Sequence, residues 1–358
     1  MKKILAILVA VAALFALVAC DGGQSPSDGG GLVGISMPTQ SSERWIMDGN
    51  TLKDILVDRG FEVDLQYAED DIPTQRLQVE AMLAKGAKAL VISAIDASTL
   101  ASVLDAAGED GVIVIAYDRL LVDTKAVSYY ATFDNVSVGE LQAQSLLDGL
   151  KEHRGNPPWN IELFAGSPDD TNSFFFYSGA MKVLQPLVDA GDVVIRSGQT
   201  TQEQIGTLRW DGAVAQSRMD AILAAHYADG TPLHGVLSPY DGLSRGIISA
   251  LASFGFQPNT DNWPVVTGQD AEAASIKMII TGEQYSTVLK DTRDLAKVAA
   301  DMVAAALEGR TPEINDTSTY NNNVMVVPSY LLVPYTVHVG NYQELVIDSG
   351  YLSADDIK

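Results

Sequence analysis

Short apolar runs recur along this chain, each ending in a polar cluster and followed by a stretch of helical spacing. Residues 32–37 read as a first strand, and a polar loop leads from it into a helix over 45–59 that stops at Gly60. Alternation over 61–67 predicts a second strand, and a helix over 71–86 follows. A strand at 89–93, a helix at 98–107 and a β-branched run from 112 continue the rhythm. It restarts after residue 135, with a helix over 137–151, a strand at 159–165 and a helix over 173–189. Strands at 193–196, 235–238, 265–267 and 286–289 have helices between them, the last helix covers 292–308, and an extended segment at 325–332 crosses back. Strands alternating with helices predict an α/β fold with parallel sheets, here two doubly wound, Rossmann-like lobes in succession.

The first residues stand apart from this pattern. Lys2 and Lys3 precede an unbroken apolar run over 4–19, short for a membrane span and suited to a signal-peptide core. The run ends in Leu-Val-Ala-Cys at 17–20, which resembles the bacterial lipobox, where the cysteine is lipidated. Cys20 is the chain's single cysteine, so no disulfide forms within the chain. Residues 21–30, rich in Gly, Ser and Asp, read as a flexible tether. The expectation is a protein that works outside the cytoplasmic membrane, attached by its lipid alone. At 358 residues the chain is long enough for two domains, and its net charge of −23 offers no basic surface to neutralise nucleic-acid phosphates or anionic lipids.

The chemistry collects where the strands end. The run from 112 terminates in Asp118-Arg119, an acceptor beside a rigid planar donor fork. Other strand ends carry Arg44 and Trp45, Asn172 and Phe176, Arg209 and Trp210, Asp241, Gln269 and Asp270, and Lys290. In parallel α/β sheets ligands bind at the carboxyl ends of the strands. A sugar hydroxyl both donates and accepts, so this set can satisfy it from either side, while the C–H face of a pyranose stacks on an aromatic ring. A hexose held between Trp45 and Trp210 fits the set. Micromolar affinity needs about 8 kcal/mol, within reach of five or six hydroxyls hydrogen-bonded at about 0.5–1.5 kcal/mol each, more for charged partners, plus stacking. Each residue also has a purely structural reading. Asn172, Asp241 and Asp270 fit helix caps, Lys290 a solvated charge, and the two tryptophans core positions.

The segments SERW at 42–45, VISAID at 91–96, AYDRL at 116–120 and YYATFDN at 129–135 form an ordered series with ELFAGSPDD at 162–170 and GTLRWD at 206–211. LSPYDG at 237–242, GQD at 268–270, GEQYST at 282–287 and VPSYLL at 327–332 complete it. In this series the chain resembles the periplasmic monosaccharide-binding proteins of ABC importers, the pentose/hexose group with ribose-, galactose- and xylose-binding proteins. Within that group it is most similar to the multiple-sugar-binding, virulence-sensing receptor type.

The resemblance spans about residues 31–358 and implies a type I periplasmic binding protein. Two lobes joined by three crossings would close on an aldose such as glucose, galactose, arabinose or xylose. It places residues 31–134 and 291–330 in an N-terminal lobe and 135–290 and 331–358 in a C-terminal lobe. It implies that Asp118 and Arg119 grip ring hydroxyls or the anomeric oxygen, that Trp45 and Trp210 stack, and that Asp241, Gln269 and Lys290 supply polar contacts. The implied partners are a membrane permease and a sensor or chemoreceptor, with no cofactor and no metal. Two positions depart from the ribose and galactose branches: Phe176 stands where they carry an arginine, and Tyr240 where they carry an asparagine. Their calcium loop has no counterpart here, and the four histidines (153, 226, 234, 338) are scattered.

Two other readings compete. A nucleoside or signalling furanose would suit the same fold. A glycoside hydrolase would use a carboxylate pair such as Asp118 and Asp241, one with a raised pKa, yet the adjacent arginine pushes Asp118 the other way.

Overall fold

The computed structural model describes residues 30–358. The apolar leader, Cys20 and all but the last residue of the tether lie outside the described residues.

The first lobe is a six-stranded parallel sheet. Its strands are β1 (Leu32–Met37), β2 (Glu62–Tyr67), β3 (Ala89–Ile92), β4 (Ile113–Tyr117), β5 (Val127–Phe133) and β11 (Ser329–Leu332), in the order β11-β5-β4-β3-β1-β2. The central strands β1, β3 and β4 are almost wholly buried, as parallel strands covered on both faces must be. One face carries α1 (Glu43–Asp58) and α10 (Thr292–Leu307), which pack Trp45, Leu52, Leu56, Leu295 and Val303 against the sheet. The other carries α2 (Ile72–Ala84) and α3 (Ala101–Glu109), through Val79, Met82 and Leu104. Asp71 caps α2, its side chain accepting from Thr74 N at 2.8 Å, with Pro73 in the first turn where its missing N–H does no harm.

The second lobe repeats the plan. Strands β6 (Trp159–Leu163), β7 (Val193–Ile195), β8 (Gly235–Leu237) and β9 (Val265–Val266) form a parallel sheet in the order β7-β6-β8-β9. A short ribbon continues beside it, β10 (Ser286–Leu289) antiparallel to β12 (Tyr335–His338). Helices α4 (Asn135–Arg154) and α5 (Thr171–Ala190) cover one face. On the other lie α7 (Gly212–His226) and α8 (Asp241–Phe254). The one-turn α6 (Gln202–Ile205) follows β7, and α9 (Ala273–Thr281) leads into β10. The α4–α5 contact is close because glycines face each other's backbone: a Cβ at Gly139 would strike Phe176 O, and one at Gly179 would strike Val136 O.

The chain passes between lobes three times, at 133–135, 289–292 and 332–335. Because β11 pairs with β5 through Leu332, the last crossing follows Leu332 rather than residue 330. The segment over 325–332 is a strand only in its second half. Two strands escape the apolar pattern. β5 begins with the polar and tyrosine-rich Ser128-Tyr-Tyr, and β12 is an exposed edge strand with little to alternate against.

Candidate ligand-binding site

Both sheets point the carboxyl ends of their strands into one cleft, which holds about 530 Å³ of atom-free space up to its open mouth. From the first lobe come Ser42, Arg44 and Trp45 at the start of α1, and Asp118 and Arg119 just after β4. The second lobe supplies Asp170, Asn172 and Phe176 around the start of α5, then Arg209 and Trp210, Tyr240, and Gln269 and Asp270. Lys290 enters from the second crossing. Nine of the ten ligand-binding positions expected from the sequence therefore line one cavity. Asp241 does not.

The backbone is unusual where the side chains are aimed. Asp118 (φ 57°), Arg209 (φ 59°), Trp210 (φ 54°) and Asp270 (φ 90°) all adopt left-handed conformations, which are disfavoured outside glycine and tend to gather at functional sites. Tyr130 Oη and Thr132 Oγ1 hold the Asp118 carbonyl from β5, donating at 2.6 and 3.0 Å. Trp210 lies against Gly166, where any Cβ would collide with the indole.

The charges form a buried network. Arg44, 3% exposed, donates to Asp48 at 3.0 Å and to Asp118 at 3.0 Å, and lies 3.4 Å from Asp270. Lys290, 2% exposed, sits 3.4 Å from Asp118 and 3.3 Å from Asp270. It is a buried cation and not a solvated one. Burial alone would push Asp118 up, but Arg44, Lys290 and Arg119 outweigh it and hold the carboxyl at about 2. Asp48 lies one step behind, and there burial prevails over Arg44 and a hydrogen bond from Tyr117, raising it to about 6.

The contacts recorded for Asp118 and Asp270 fall on one oxygen each, Asp118 Oδ2 and Asp270 Oδ1. Among the described residues the other oxygen of each carboxylate has no hydrogen-bond partner. One carboxylate oxygen from each lobe thus remains available in the cavity.

Arg119 is anchored by an ion pair to Asp170 at 3.0 Å and by donation to Ala94 O at 3.0 Å. Asp170 also accepts from Trp210 Nε1 at 3.2 Å and caps α5 through Asn172 N at 3.0 Å. The cap expected of Asn172 is therefore made by Asp170. Asn172 instead spans the lobes, donating to Asp118 O at 2.7 Å and accepting from Asn135 Nδ2 at 3.0 Å, with Tyr130 Oη 3.1 Å from its amide oxygen. One of its two amide hydrogens is committed to Asp118 O, which leaves it at most one donor hydrogen for a ligand. Gln269 accepts from Gln142 at 3.4 Å and donates to Asp270 at 3.3 Å.

The aromatic wall is T-shaped. Trp210 meets Phe176 at 6.2 Å and Tyr240 at 6.0 Å between centroids. Trp45 is not a bare stacking platform, because the guanidinium carbons of Arg44 and Arg119 lie over its ring at 4.3 and 5.2 Å from the centroid.

Asp241 is the correction. It is fully buried at the first turn of α8, beneath Gly268, accepting from Gln284 Nε2 at 2.8 Å and from Glu272 N at 3.0 Å. Burial first, and then the nearby Glu272, raise its pKa to about 8. It braces the loop that carries Gln269 and Asp270 and does not enter the cavity. In the sequence it looked like the other strand-end acids, since nothing local tells a carboxylate turned inward beneath a glycine from one turned into a cleft. Conversely, Asp170 and Tyr240 line the site without having been singled out as ligands. Asp170 stands in the polar segment ELFAGSPDD at 162–170, where the sequence assigns the cap to Asn172 and no role to Asp170.

A cleft of this construction, built at the strand ends of two like lobes, is that of a periplasmic binding protein, and the periplasmic binding protein domain family matches residues 33–311. The chain belongs to that family. It is 56% identical over 328 residues to the multiple sugar-binding periplasmic receptor ChvE of Rhizobium radiobacter, covering 92% of each. Among solved structures it is similar to an ABC transporter solute-binding protein of Clostridium phytofermentans with bound β-D-glucose (TM-score 0.87, 45% identity, 91% of this chain and 100% of that one). It is also similar to a carbohydrate transporter solute-binding protein of Chloroflexus aurantiacus in complex with D-glucose (TM-score 0.81, 37% identity, 91% and 98%).

Proposed function

We propose that this protein is an extracytoplasmic receptor that captures an aldose in its pyranose form between two closing lobes and delivers it to an ABC sugar importer. The observation that carries the reading is the pair of carboxylates, Asp118 and Asp270, from opposite lobes. Each is locked by Arg44 and Lys290 through one oxygen and has the other without a partner among the described residues. Such acceptors take hydroxyl protons with charge-assisted hydrogen bonds, and closure brings the two together around the ligand. Arg119 donates from the first lobe, Gln269 and Lys290 donate from the second lobe and the crossing, and the edge-on group of Trp210, Phe176 and Tyr240 covers the apolar ring face. The similarity to glucose-bound relatives supports an aldose over a nucleoside.

Hydrolysis finds no support in this geometry. Asp118 is ionised far below the range of a general acid, and Asp241, the expected second carboxylate, lies outside the cavity.

Closure follows from the division of the site. Neither lobe alone surrounds a ligand, so a bound sugar stabilises only the state in which both contact it, the hinge mechanism of such proteins. The permease would read that closed state, and a sensor could read the same surface. In this account Cys20 carries the lipid that keeps the receptor at the outer face of the membrane.

Calorimetric titration with glucose, galactose, xylose, arabinose, ribose and adenosine tests the reading. Micromolar or tighter binding of at least one aldose is expected. Binding of adenosine alone, or of nothing, would overturn it. Radiolabelled palmitate should be incorporated by cells expressing the wild-type chain and not by those expressing Cys20→Ser. Equal labelling of the two would remove the anchor from the account.

A further inference from the structure

Ser42 occupies the N-cap position of α1, where a serine side chain normally accepts from the first turn of its own helix. It makes no such bond. Its hydroxyl instead crosses the cleft and donates to Glu272 Oε1 at 2.9 Å. Glu272 is the N-cap residue of α9 and makes no cap of its own either. Only 5% exposed, it has both oxygens engaged. Oε1 also accepts from Tyr240 Oη at 2.7 Å, and Oε2 pairs with Arg245 at 2.6 Å. Apart from the carbonyl that begins α9, three of its four contacts, Tyr240, Arg245 and its own N–H to Asp241 Oδ2, lie within the second lobe. The fourth, Ser42, is the one that closure makes and opening breaks.

We propose that Glu272 and Ser42 form a latch beside the binding cavity, a pair of positioning residues that set how long the closed state lasts. Ser42 lines the cavity but Glu272 does not, so the accepting half of the latch acts on the lobes and not on the ligand. Tyr240 and Arg245 hold the carboxylate in place in the open state, ready to receive Ser42. Ser42 begins the helix turn that carries Arg44 and Trp45, so making the bond brings those side chains to the second lobe. Because its acceptor is charged and buried, the bond should be strong for a single hydroxyl.

The inference rests on the sugar-receptor reading, and two readouts keep the failures of the two apart. In stopped-flow tryptophan fluorescence with glucose as the probe, Ser42→Ala should dissociate about tenfold faster with an unchanged association rate, since the open state loses nothing. Ser42→Thr, which keeps the hydroxyl, should restore the slow rate. Adding Ser42→Ala to Glu272→Gln should have little further effect, since the two residues share one interaction. The second readout needs no ligand. Ligand-free molecules that visit the closed state make the same bond there, so hydrogen exchange of residues 268–276, in the opposite lobe, should quicken in ligand-free Ser42→Ala and return to the wild-type rate in Ser42→Thr. Unchanged dissociation and exchange in Ser42→Ala would overturn the latch. If wild type fails to bind glucose, the receptor reading falls, and the exchange comparison alone decides for or against the latch.

Discussion

Asp118 sits where three demands meet: a left-handed backbone, full burial, and two cations on one oxygen. Removing its carboxylate leaves Arg44 and Lys290 short of a buried counter-charge and deletes a proposed hydroxyl acceptor. Breaking a buried pair of this kind typically costs about 3–5 kcal/mol. Asp118→Ala should therefore weaken sugar binding by at least about a hundredfold and lower the melting temperature, read by calorimetry on the same sample. Asp241 gives the opposite kind of prediction. Its folded pKa, about 8, lies above the unfolded value near 3.9, so the folded state holds the proton longer than the unfolded state does. Its contribution is full below about pH 4 and is lost as pH rises through about 8. Wild type should thus lose more stability between pH 5 and 8 than Asp241→Asn does, in melts run side by side. Parallel curves would show that Asp241 does not titrate in that window.

At the level of elements, the reading from sequence succeeded where burial is symmetric and failed where tertiary context decides. Buried parallel strands such as β1, β3 and β4 write themselves as apolar runs, and the helices between them carry their own stop signals at Gly60 and Gly86. β5 was missed because its tyrosines face helices and loops from the far side of the chain, with Tyr130 against Tyr320 at 5.1 Å. In the site, residue type and position at a strand end were enough to collect Arg44, Asp118, Arg119, Gln269 and Lys290. Direction was not legible. Asp241 turns beneath Gly268, Asn172 turns across the lobes, and Glu272 reaches a serine 230 positions away. The α4–α5 seam makes a further prediction. Gly179→Ala puts a methyl against Val136 O, with backbone on both sides and no room to repack. It should destabilise the protein by about 1–3 kcal/mol or more, read by denaturant unfolding. A neutral result would mean that the two helices can separate freely.

For the whole molecule, the arrangement of strands explains why there is one cleft and where it lies. Each sheet reverses its strand order beside its first strand, β1 in one lobe and β6 in the other, and crevices open at the carboxyl ends of strands there. Joining two such lobes through three crossings sets the crevices face to face. The closed state is held by the ligand and by direct interlobe contacts that include Arg44–Asp270, Arg119–Asp170, Asn172 with Asp118 O, Ala97 N with Asp169 O at 3.1 Å, and Ser42–Glu272. Small-angle scattering should show the radius of gyration falling when glucose is added, and falling less in Asp118→Ala at the same sugar concentration. The most direct test is a crystal structure of the protein with glucose bound. The account predicts one pyranose between the lobes, its hydroxyls donating to Asp118 and Asp270 and its ring face against Trp210. A sugar bound outside this cleft, or held by one lobe with Asp118 and Asp270 untouched, would contradict it.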